Sequence, residues 1–122
     1  MKKLLFVLLL LSSASFADWG DVYYCQMNTS VSIDVDGTVR KHKLEKFQFK
    51  LDETKKSMVF GKSGYFGNTE ILLDLDMSYP SNEIWIGTNP FYTLGFKGGE
   101  FMYSAIVMNL GIDSVVADCD KF

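Results

Sequence analysis

His42 is the only histidine in the chain, and any nucleophile–imidazole–carboxylate system would have to be built on it. It lies in the most lysine-rich stretch, where a solvated side chain is expected. Without a second histidine or a free cysteine it also offers too few ligands for zinc. Two aspartate pairs, Asp74/Asp76 and Asp118/Asp120, are spaced i, i+2, which puts both carboxylates of a pair on one face of a strand. Paired carboxylates can share acid–base work, but here each pair more simply supplies the polar side of an alternating strand. Asp34-Val35-Asp36-Gly37 begins like a calcium loop, yet Lys43 stands where the bidentate glutamate is needed. Gly61-Lys62-Ser63 ends like a phosphate loop, but Lys56 replaces its upstream glycine and no helix is expected after it. No catalytic motif is complete. The sequence therefore points to a non-enzymatic protein with no metal and no other cofactor.

The chain's two cysteines say more about where and how it folds. Residues 1–17 read as a secretory signal peptide: Lys2-Lys3, then an apolar run from Leu4 to Leu11, then Ser15-Phe16-Ala17 with small residues at −3 and −1. That run is too short for a membrane span, and no cysteine follows the cleavage site to carry a lipid. The Met-Lys-Lys-Leu-Leu opening is bacterial in style, so the expected product is a periplasmic or secreted single domain, residues 18–122. In such a compartment Cys25 and Cys119 are expected to pair. Removing Lys2 and Lys3 takes the formal charge from −3 to −5, which gives no reason to expect nucleic acid. Seven of the remaining basic residues fall between Arg40 and Lys56, as a solvated strand face or as a patch for an anionic partner.

The elements that position these residues read as strands throughout. From Tyr23 to Ile33 the odd positions are Tyr, Cys, Met, Thr, Val and Ile and the even ones are mostly polar, a period of two with Cys25 on the apolar face. Asp36-Gly37 supplies a hairpin turn, and a second strand follows over 39–51 with Phe47, Phe49 and Leu51 inward. Shorter strands are expected over 57–60, 71–77 (Ile71, Leu73, Leu75 and Met77 on one face), 83–88 (Ile84 and Ile86 opposite Trp85) and 91–96. Pro80-Ser81-Asn82 and Asn89-Pro90 break the run. Strands 101–108 and 112–119, turning at Asn109-Leu110-Gly111, form a closing hairpin. The inward set also includes Tyr23, Met27, Val31, Ile33, Leu94 and Phe96. So many bulky residues fill an eight-stranded barrel rather than leaving a ligand cavity, which weakens an alternative role as a carrier of apolar ligands.

Eight short strands and short turns predict an all-β antiparallel up-and-down barrel, with a two-sheet sandwich as the alternative. The cysteines favour the barrel, since the first and last strands are then neighbours and Cys25 faces Cys119. One rim then collects the turns at 34–38, 61–68, 88–90 and 109–111. Loop 61–68 holds Gly61, Gly64 and Gly67 around Tyr65-Phe66, so its backbone can take positive φ while presenting two rings. Tyr65, Phe66, Phe91 and Tyr92 are the candidate binding residues of that rim, and capping of the core is the other role open to them. The terminal Phe122 is reminiscent of outer-membrane barrels, but counting back by twos gives Asp120, Asp118, Val116 and Ser114, which is no lipid-facing stripe. No stable membrane insertion is expected.

Tyr23-Tyr24-Cys25 in the first strand, with the second cysteine in the last, resembles the small periplasmic lysozyme inhibitors of Gram-negative bacteria. Ser63-Gly64-Tyr65 is similar to their inhibitory loop, while most of the chain from 71 to 108 has no counterpart. The resemblance implies a disulfide-clamped eight-stranded barrel that places a loop in an enzyme's active site. The functional expectation is thus a monomer that binds a protein or envelope polymer through its loop rim, with a periplasmic inhibitor as the alternative.

Overall fold

From Val22 to Met27 alternate side chains go in and out, and Tyr23, Cys25 and Met27 are buried. These residues open β1 (Val22–Asp34), the longest strand of a computed structural model that describes residues 17–74 and 84–122. Residues 1–16 of the predicted leader (1–17), together with Leu75, Asp76, Met77 and Pro80-Ser81-Asn82, lie outside the described residues. Eight further strands follow: β2 (Val39–Lys41), β3 (Lys46–Asp52), β4 (Ser57–Phe60), β5 (Glu70–Leu72), β6 (Trp85–Thr88), β7 (Tyr92–Lys97), β8 (Glu100–Val107) and β9 (Gly111–Lys121). They pair antiparallel in the order β5-β4-β3-β1-β9-β8-β7-β6, and the short β2 continues the β3 side of β1 beyond a break. A bridge between Leu73 and Gly87, and a 2.7 Å bond from Asp74 N to Ile86 O, bring the last strand back to the first. The result is a nearly closed eight-stranded antiparallel barrel, as the strand count and cysteines predict.

The seam between β1 and β9 puts Cys25 directly opposite Cys119, and the two form a disulfide with Cα atoms 4.0 Å apart. Such a bond fits an oxidising, extracellular type of compartment. Among the described residues no helix is long and apolar enough to cross a membrane.

Three details of the predicted pattern change. The register of β1 against β9 slips between Met27 and Thr29, a β-bulge that inserts one residue and reverses the alternation beyond it. Ser30 is therefore buried, while Val31 is half-buried and Ile33 is exposed, not inward. The single strand expected over 39–51 is split opposite the bulge of β1, where His42 N still donates to Ser30 O and Met27 N to Glu45 O but residues 43–44 leave the ladder. In β6 Trp85 and Gly87 face the core and Ile84 and Ile86 lie on the other side. The seam explains that choice: a Cβ on Gly87 would come within 2.5 Å of Ile71 Cγ2, so only glycine lets β5 and β6 meet.

The interior is largely aromatic. Phe47, Phe49, Phe60, Phe66, Phe96 and Phe101 are all buried; Phe60 and Phe66 stack at 4.7 Å, and the other neighbouring rings meet edge-on or tilted at up to 6.1 Å. Trp19 closes one end against Trp85 at 4.8 Å, with the Lys56 ammonium over its ring.

Candidate binding rim

Loop 61–69 is folded tightly enough to place two adjacent rings at different depths. Gly67 N donates to Gly64 O, Asn68 N to Gly61 O and Thr69 N to Phe66 O. Gly64 has φ +89°, and a Cβ there would meet the Lys46 carbonyl oxygen at 2.8 Å, so the chain can cross β3 this closely only as glycine. Phe66 consequently drops into the barrel, only 3% exposed, against Phe47, Phe60 and Phe101. Tyr65 stays above it, 42% exposed, with its ring edge on Phe66.

The turn before β7 separates its two rings in the same way. The Asn89 side chain accepts from Phe91 N at 2.8 Å and Tyr92 N at 3.0 Å, the usual way an asparagine organises a turn. Tyr92 pairs with Ala105 on the inner face, whereas Phe91 points outward and is 63% exposed. The four candidate residues are therefore not one cluster. Tyr65, Phe66 and Tyr92 converge through Tyr103, whose ring lies 6.1, 4.9 and 5.8 Å from theirs. Phe91 stands apart on the outer wall. The sequence pattern already contained the signal for Tyr103, since it shares the inward parity of Phe101 and Ala105.

Below the tyrosines a polar chain crosses the mouth. Tyr65 donates its phenol to Asp113 Oδ2 at 3.3 Å, and Ser32 donates to Asp113 Oδ1 at 2.6 Å. His42 Nε2 lies 2.6 Å from Ser32 Oγ. Because the hydroxyl proton is committed to the carboxylate, the imidazole must be the donor in that last bond. A serine nucleophile needs the opposite arrangement, with the imidazole accepting its proton. The array holds Tyr65 and Asp113 in place and does not activate Ser32. A cleft of about 220 Å³ opens beside it, lined by Ser32, Asp34, Arg40, His42 and Asp113 among others, and Arg40 is paired to Asp34 at 2.9 Å. Among the described residues no three His, Cys, Asp or Glu side chains are grouped to hold a metal ion.

The phenols are held neutral. Burial first, then the Asp113 charge, Tyr103 and the hydrogen bond to Asp113 push Tyr65 above the ordinary phenol range. Burial does the same to Tyr92, and burial followed by Tyr92 and Asp113 to Tyr103. In the core, burial and then Asp21 push Tyr23 up to about 12. A raised folded pKa means that these groups contribute fully below the unfolded value of about 10 and lose that contribution as pH rises through the folded value. Denaturation midpoints should hold steady up to pH ~9.5 and fall steeply between about pH 10 and 12. Tyr23→Phe should remove part of that fall, and an unchanged slope in the variant would assign the loss to other groups.

Comparison of the chain with protein families, with curated proteins and with solved structures returns no match.

Proposed function

We propose that the protein is a periplasmic or secreted non-enzymatic module that binds a partner protein or envelope polymer with the inner rim of its barrel. The observation that carries this is the Tyr65–Tyr103–Tyr92 arc, three rings in contact around a mouth with the Asp113 carboxylate beneath them. Neutral phenols offer a flat apolar face and a hydrogen-bonding tip with little side-chain entropy to lose, which is why tyrosine serves so often in binding surfaces. The ring-filled interior supports a surface function over carriage of an apolar ligand. The formal charge of −5 for residues 18–122 supports a protein or neutral polymer over nucleic acid. Inhibition of a wall-cleaving enzyme is the second reading, favoured by the exposed Ser63-Gly64-Tyr65 segment beside the mouth of a disulfide-clamped barrel.

The test is the variant Tyr65→Ala/Tyr92→Ala, compared with the parent for capture of proteins from periplasmic extract, co-sedimentation with wall sacculi and inhibition of lysozyme. At least one of these should be present in the parent and be reduced ~100-fold in the variant, since two such anchors are worth about 2–4 kcal/mol together. The melting temperature should move by only a few degrees. A variant that melts far lower yet still captures the same partner would make these rings core caps and end the proposal.

A further inference from the structure

The outer wall at the same end carries a row of apolar side chains. Val39 pairs with Ile33, Ile33 with Ile112, and Ile112 with Ile106, while Ile106 N bonds to Phe91 O. Paired residues share a face, so these five stand side by side across β2, β1, β9, β8 and the start of β7. They point away from the core and are 59, 41, 40, 56 and 63% exposed in the order Val39, Ile33, Ile112, Ile106, Phe91. The next row inward is Lys41, Val31, Ser114, Ser104 and Thr93, so Lys41 is the only charge in the two rows. Val35, Met108 and Leu110 extend the patch onto the turns, 67–73% exposed. The wall of β3, by contrast, presents Lys46, Gln48 and Lys50.

We infer that this wall is the interface of a symmetric homodimer. Monomers rarely expose a contiguous apolar patch beyond a few hundred Å². Eight side chains of this size at these exposures present on the order of 800 Å², about what each partner contributes to a standard stable interface. A two-fold axis through the row sets each patch against its own copy, so both are covered at once. β-Branched ridges then interdigitate as in sheet-on-sheet packing, with the serine and threonine row left to hydrogen-bond. A bilayer suits the patch less well. Asp34 and the exposed Asp36 flank Val35, and Asn89 and Asn109 stand beside Phe91 and Leu110, so inserting the apolar tips would carry carboxylates and amides into hydrocarbon. The dimer replaces the monomer expected from the sequence and assigns Phe91 to the interface. It stands independently of the rim proposal.

Sedimentation equilibrium of the purified protein should give twice the mass of one chain at micromolar concentration. Ile106→Asp places an unpaired carboxylate from each copy inside the apolar interface and should raise the dissociation constant roughly 100-fold or more. Phe91→Ser should weaken the dimer without burying a charge, and Lys50→Glu on the β3 wall should leave it intact. Far- and near-ultraviolet circular dichroism checks that each variant keeps the parent fold. A folded parent of single-chain mass even at millimolar concentration overturns the inference, as does a dimer indifferent to both Ile106→Asp and Phe91→Ser. Binding of a monomeric parent to phosphatidylcholine vesicles, lost in Ile106→Asp, would assign the wall to membranes instead.

Discussion

Replacing Cys25 and Cys119 together by alanine is expected to lower the unfolding free energy by about 4–5 kcal/mol. The bond joins residues 94 positions apart, so it removes nearly the whole chain's loop freedom from the unfolded state. In the folded state it joins strands that already pair from Tyr23↔Lys121 to Asp34↔Gly111, so most of the gain acts on the unfolded side. Both sulfurs are buried, and alanine avoids leaving unpaired hydroxyls in the core, as serine would. For a domain whose whole stability is about 5–15 kcal/mol this decides whether the fold survives warming. Urea titration of the parent and the double variant measures it. A loss under about 1 kcal/mol would mean that the unfolded chain keeps its two ends together without the bond.

Phe49→Ala is the second large effect, about 3–5 kcal/mol. The ring is 1% exposed and lies 5.1 Å from Phe96, 5.4 Å from Tyr23, 5.7 Å from Phe60 and 6.1 Å from Phe101. Its neighbours belong to β1, β4, β7 and β8, so truncation opens a void that no single strand can close. The adjacent Lys50 points out, and Lys50→Ala should stay within about 0.5 kcal/mol. The contrast tests the register as well as the core, since a one-residue slip exchanges the two results.

Much of this architecture was legible in the sequence because it depends on local alternation. Tyr23, Cys25 and Met27, then Phe47, Phe49 and Leu51, each state their own face, and the two cysteines fix which strands meet. What escaped has physical reasons. The bulge at Asn28 has no local signature, and it moves the seam by one residue. Counting back from Cys25↔Cys119 without it sets Ser32 opposite Ile112, whereas the actual partner is Asp113. The polar chain from His42 through Ser32 to Asp113 and Tyr65 was therefore hidden, although every residue in it was in view. Trp85 lies between two isoleucines, so either face could have been inward, and only the tight seam at Gly87 decides it. Tyr65 and Phe66 are adjacent and equally aromatic. Their opposite fates come from the close crossing at Gly64, a tertiary contact that no local pattern encodes.

Side-chain footprinting of the tyrosines, on the protein alone and with its captured partner or with wall sacculi, tests the rim most directly. Tyr24 provides the internal reference, because it is 45% exposed, much like Tyr65 at 42%, but lies on the outer wall near the disulfide. The expected result is that Tyr65 and Tyr92 lose reactivity on binding while Tyr24 keeps its own. Protection of Tyr24 with Tyr65 and Tyr92 unchanged would contradict a binding mouth and place the working surface elsewhere on the barrel.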